Sequence, residues 1–108
     1  MMAFDDLVAA ARSAVASRQR VTPLKELREK TSSAPAARDV ASVLRAPGRV
    51  VSVIAEVKRA TATFADLSGV GDVAVLARFY EAGGAACVSV VTEPVRSHGR
   101  LTDLDAVR

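Results

Sequence analysis

Glu56 and Lys58 are the residues of this chain whose types and spacing best suit chemistry. They close an apolar, β-branched run (Val50, Val51, Val53 and Ile54) that predicts a strand covered on both faces, as in a parallel sheet. Side chains two apart in a strand point to one face, about 6.6 Å apart along the axis. Ser52, Ile54, Glu56 and Lys58 therefore share one face, and Val51, Val53, Ala55 and Val57 share the other. A carboxylate and an ammonium at the C-terminal end of such a strand stand where α/β barrels keep their chemistry. A structural ion pair at a strand end has the same spacing, and spacing alone leaves both readings open.

The elements around this strand follow from periodicity and punctuation. Phe4, Leu7, Val8, Ala11 and Val15 recur at helical spacing, with Asp5 and Asp6 at the start and Arg18 and Arg20 near the end. Those charges complement the helix dipole and predict a helix from about residue 3 to 19. Thr22 and Pro23 read as an N-cap and first helical residue of a shorter helix through about Lys30. Residues 31–37 read as a connection, followed by a further turn or two from Asp39 to Leu44 before Ala46-Pro47-Gly48. The first strand is expected from about Arg49 to Val57, then a long loop from Thr61 to Gly71. Asp72 is a plausible cap for a helix carrying Val73, Leu76, Ala77 and Tyr80 on one face, with Gly83-Gly84 ending it. Ala86 to Val91 reads as a second strand, and Thr102, with Asp105 three residues on, as the cap of a last helix. Strand, helix and parallel strand make a βαβ unit.

Composition narrows the classes of function. The chain has 108 residues, a single-domain length, and half of them are hydrophobic, which is a globular composition. One cysteine, Cys87, excludes an internal disulfide framework and points to a reducing cytoplasm. The absence of a long apolar run and of a signal-peptide pattern argues against a membrane location. The net charge of +3 is too mild and dispersed for nucleic-acid binding, with no basic block interleaved with aromatics.

The stretches AEVKRATAT, DVAVLARFYEAGGAACVSVVTEP and LTDLDAVR, in that order, resemble the opening of indole-3-glycerol-phosphate synthase. TPLKELREK and APAARDVASVLRAPG resemble the helical extension that precedes its barrel. The resemblance implies an α/β fold: the N-terminal part of a TIM (β/α)8 barrel, about two strands preceded by a helical extension. Residues 1–48 would be the extension and 49–108 the first βαβα part of the barrel. A complete barrel needs about 250 residues, so the barrel is expected to be incomplete here and the isolated chain inactive.

The function implied is a carboxy-lyase step of tryptophan biosynthesis. It converts 1-(2-carboxyphenylamino)-1-deoxyribulose 5-phosphate to indole-3-glycerol phosphate, with loss of CO2 and water and without cofactor or metal. Glu56 and Lys58 match the family's catalytic strand, with Lys58 on anionic groups of the anilino sugar phosphate. Its neighbouring carboxylate would keep that ammonium charged and oriented. Thr61 and Thr63 keep the hydroxyls of a substrate-contacting SPSKG motif that here reads Thr61-Ala62-Thr63-Phe64-Ala65. The family's Phe-x-Gly-Ser aligns with Ser97-His98-Gly99-Arg100, where only Gly99 is retained. A general-acid Lys and the phosphate-binding loops are expected from later strands. The implied partners are a C-terminal barrel part or another tryptophan-pathway enzyme, and a non-catalytic relative acting as an interaction module is the alternative.

The remaining polar residues suit blander roles. Arg59 projects to the opposite face from Lys58 and is read as a surface or helix contact, Glu93 as a solvated loop acid, and His98 as a surface residue. Cys87, inside an apolar strand, reads as a small core residue.

Overall fold

The structure is a computed structural model that describes residues 4–48, 51–61 and 69–108. The chain divides into two compact units, one ending at Arg38 and the other running from Asp39 to Arg108. The first holds helices α1 (Phe4–Val21) and α2 (Leu24–Ser32). Asp5 and Asp6 lie in the first turn of α1 and Arg18 and Arg20 in its last, as the dipole favours. Pro23 rather than Thr22 is the N-cap of α2, with no side-chain cap bond. Its missing N–H costs nothing where helical amides lack partners anyway. Lys30 and Glu26 pair across one turn at 2.6 Å.

In the second unit the order is α3 (Val40–Leu44), β1 (Ile54–Val57), α4 (Val73–Ala82), β2 (Cys87–Val90) and α5 (Leu101–Val107). This is a mixed helix and strand arrangement around a two-stranded parallel sheet. The register pairs Ile54 with Cys87, Ala55 with Val88, Glu56 with Ser89 and Val57 with Val90. Flanking bonds extend it, from Ala86 N–H to the Val53 carbonyl at 2.8 Å and from Val91 N–H to the Val57 carbonyl at 3.0 Å.

Helix α4 packs on both strands, and α5 packs on α4 and β2. Asp39 and Asp72 cap α3 and α4, accepting backbone N–H bonds at 3.0 Å and 2.8 Å respectively. Past α4 the chain turns through Gly83 into Gly84, whose φ of +91° is the left-handed conformation that glycine adopts freely. Among the described residues the buried apolar core is small: Val57, Ala60, Val73 and Ala77. It gathers where the end of β1 meets the first turns of α4.

Three expectations change. Val51, Val53 and Ile54 are exposed, Val51 at 74 %, so the apolar run leading into β1 is not covered on both faces. Val51 and Val53 precede the strand on the side where α4 packs but are not covered by it, and Ile54, on the opposite side, is also open. Cys87, in register with Ile54, is half-buried rather than core for the same reason. The last helix is preceded by Arg100, with no side-chain cap bond, and Thr102 lies within its first turn. Asp103, the third helical residue, takes over the local role, since a backbone hydrogen bond from Arg100 helps hold its charge. Among the described residues no helix is long and apolar enough to cross a membrane.

Candidate active site

The period-two alternation of β1 brings Glu56 and Lys58 together on the face that α4 leaves open. Lys58 Nζ stands 3.6 Å from Glu56 Oε1, with 35 % and 47 % of the two side chains exposed. Val57, between them, points the other way and is 2 % exposed. The pair occupies the C-terminal end of β1, and the register places Ser89 of β2 beside Glu56. The Tyr80 hydroxyl reaches the Glu56 carbonyl at 3.4 Å, a long bond from α4 to the strand backbone. An ammonium held beside a carboxylate and open to solvent can receive an anionic ligand without first losing a buried partner.

Thr61, three residues beyond Lys58, is half-buried. Thr63, the other expected hydroxyl, lies outside the described residues.

The loop after β2 is more ordered than its composition suggests. The Glu93 carboxylate accepts the backbone N–H groups of Val95 at 2.8 Å, Arg96 at 2.8 Å and Ser97 at 2.9 Å. Gly99 N–H closes the loop on the Glu93 carbonyl at 2.8 Å. Burial raises the Glu93 carboxyl, but the three amides and the nearby Arg96 charge together bring it below its ordinary value. Glu93 is therefore the organiser of its loop, not a solvated acid. The sequence did carry one signal: an acid followed two to four residues later by unpaired amides can bind them as a cap does. His98, at the loop's far end, is exposed and adopts a φ of +51°. Gly99 is buried so tightly that an added Cβ would come within 2.9 Å of the Thr92 carbonyl carbon and closer still to Val91.

Arg59 turns away from Lys58 and binds Asp103 of α5 with two parallel bonds, Nε to Oδ2 at 2.7 Å and Nη2 to Oδ1 at 2.8 Å. Asp103 is 5 % exposed, the one buried charged residue among those described. The Arg59 bond is the chief cause holding its carboxyl below the ordinary range, against the opposing effect of burial. The helix contact expected for Arg59 is thus with α5.

An apolar hollow of about 290 Å³ lies between β1 and the end of α4, lined by residues that include Val53, Ala55, Phe79 and Ala85. It sits toward the N-terminal end of the strands, away from Lys58, and holds none of the site residues. No three His, Cys, Asp or Glu side chains converge in metal-ligand fashion among the described residues.

Comparison with known proteins gives a consistent result. A family model described as indole-3-glycerol phosphate synthase matches residues 4–108. The protein of that name from Mycolicibacterium gilvum (strain PYR-GCK) is 47 % identical over 104 residues, covering 96 % of this chain and 38 % of the relative. Those from Mycobacterium avium (strain 104) and Mycolicibacterium smegmatis (strain ATCC 700084 / mc(2)155) are 46 % and 45 % identical over the same shares. The chain thus spans 38 % of the length of these curated relatives.

Proposed function

Because the chain belongs to the indole-3-glycerol phosphate synthase family, we propose that it supplies the opening of that enzyme's TIM barrel and part of its substrate site. Residues 1–48 are the helical extension and 49–108 the first βαβα part of the barrel. The complete protein acts in the cytoplasm, in tryptophan biosynthesis, on 1-(2-carboxyphenylamino)-1-deoxyribulose 5-phosphate. The single observation that carries this reading is the Glu56–Lys58 pair at the C-terminal end of β1, on the open face.

The chemistry gives the pair its roles. Ring closure joins an aryl carbon to the substrate's carbonyl carbon, and negative charge grows on the carbonyl oxygen until it is protonated. Loss of CO2 and then of water leaves the indole. The substrate carries a phosphate throughout and a carboxylate until CO2 leaves, so a fixed ammonium lowers the cost of holding them. Lys58 makes that contact, with the Glu56 carboxylate 3.6 Å from its ammonium. The hydroxyls of Thr61 and Thr63 add polar contacts to the same ligand. The proton donor and the phosphate-binding loops come from strands outside residues 1–108, supplied by a C-terminal barrel part, so the 108-residue chain alone is inactive. No cofactor takes part.

Ile54, exposed on the same strand face as Glu56 and Lys58, favours one alternative: a non-catalytic relative that uses this face as an interaction module, docking on another tryptophan-pathway enzyme. One assay separates the two. Turnover of the anilino-deoxyribulose phosphate is measured for the chain alone and after addition of a relative's C-terminal barrel part, with Lys58→Ala as control. Activity that appears only on completion and is lost in Lys58→Ala supports the synthase reading. A folded, completed barrel with no turnover supports the alternative.

A further inference from the structure

Lys58 has little of its own to hold it. Its ion pair with Glu56 is half-exposed and 3.6 Å long, a kind of contact worth only about 0–1 kcal/mol. The ladder bond closest to it runs from Val91 N–H to the Val57 carbonyl, one residue before Lys58. The face onto which the Lys58 side chain emerges is therefore set by the backbone on either side of it.

That backbone is fixed by the next residue. Arg59 leaves the chain on the side opposite Lys58, and its guanidinium grips both oxygens of Asp103. Its third nitrogen, Nη1, faces the Val70 carbonyl at 3.5 Å, 11 residues along the chain. A single planar group thus joins the end of β1, the residues leading into α4 and the first turn of α5. Val57 and Ala60, which flank the Lys58-Arg59 pair, are each 2 % exposed, so the chain is buried immediately before and after it. A lysine at position 59 would keep the charge but lose the planar fork that reaches two carboxylate oxygens and a carbonyl together.

We infer that Arg59, clamped by Asp103 and Val70, is the positioning residue that aims Lys58 across the open face of the sheet. The clamp lies on the helix side and never meets the ligand. It acts by denying the Lys58 backbone the rotation that would let the ammonium swing off the strand face. The inference rests on the reading of Lys58 as the substrate contact, and it adds the device that makes the contact directional.

The test uses the full chain, whose lysines are Lys25, Lys30 and Lys58. Reductive methylation with 13C-formaldehyde preserves each charge and gives each lysine its own NMR signal, with Lys58 assigned from Lys58→Arg. Lys25 and Lys30 lie in α2 and serve as controls. In Arg59→Gln and Asp103→Asn, neither of which adds a lysine, the Lys58 methyl signal is expected to move toward the value of free dimethyl-lysine while the two control signals stay in place. The circular dichroism spectrum should keep its native shape in both. A Lys58 signal unchanged in both variants, with stability alone reduced, overturns the inference, because Arg59 would then be only a structural tie. A wild-type Lys58 signal already at the free value overturns it as well. Lys58→Ala in the turnover assay tests the substrate reading separately, so either can fail without the other.

Discussion

Lys58 Nζ and Glu56 Oε1 stand 3.6 Å apart on the strand face that no described helix covers. Such a pair contributes about 0–1 kcal/mol, too little for folding to depend on it. Lys58→Ala and Glu56→Gln are therefore expected to leave the thermal midpoint nearly unchanged. In a completed barrel Lys58→Ala should lower kcat/KM by at least about tenfold, whereas Glu56→Gln should act mainly on kcat. Steady-state kinetics and melting curves on the same samples check this, and a loss of folded protein without a kinetic change would make the pair structural.

Glu93 concentrates three backbone amides on one carboxylate. Glu93→Ala leaves them to water and is expected to cost about 1–2 kcal/mol, with Glu93→Gln intermediate because it keeps one acceptor oxygen. Hydrogen exchange should accelerate at Val95, Arg96 and Ser97 while the β1–β2 ladder amides stay protected. Equal acceleration in the ladder would mean that the loop and sheet open as one unit.

Gly99 has no room for a methyl group against the Val91 and Thr92 backbone, and backbone cannot rotate aside as a flexible side chain does. Gly99→Ala should cost about 1–3 kcal/mol. Gly71, where an added Cβ meets nothing within 4 Å, is the matched control, and Gly71→Ala should change stability by no more than about 0.5 kcal/mol. Urea midpoints of the two variants decide the matter.

Acid should loosen the second unit through two carboxyls. Asp103 is held below the ordinary range chiefly by Arg59, and Glu93 by its amides against the opposing effect of burial. For a depressed carboxyl, the stabilisation is fully present above the unfolded-state value of about 4 and is lost as pH falls through the lower folded-state value. Stability should therefore be level from neutral pH down to about 5 and then fall. Asp103→Asn should shrink the acid-dependent part of that fall while costing about 1–3 kcal/mol at neutral pH, between the exposed and fully buried limits for a broken pair.

The local rules of the chain were legible before its tertiary contacts were. Period-two alternation placed Glu56 and Lys58 on one face, and Asp72 and Gly83-Gly84 bounded α4 where capping chemistry puts them. Each of those is decided within a few residues. The bond from Arg59 to Asp103 spans 44 positions, and no local pattern distinguishes Asp103 from Asp105 as its partner. Glu93 was missed because its ligands are backbone amides, which every loop contains and no residue type reveals. The exposure of Val51, Val53 and Ile54 was missed because β-branched runs record how a strand is packed in its complete setting, not which part of that setting a given stretch of chain provides.

The pairing of Cys87 with Ile54 across the sheet gives the protein a built-in reporter. Its single thiol opens onto the same face as the Glu56–Lys58 pair, with Ser89 between it and the C-terminal end of the strand. The rate of Cys87 alkylation therefore reads whether that face is bare or covered, without altering Glu56 or Lys58. A completing barrel part or a docking enzyme would protect that one sulfur atom, and an uncovered sheet would leave it reactive.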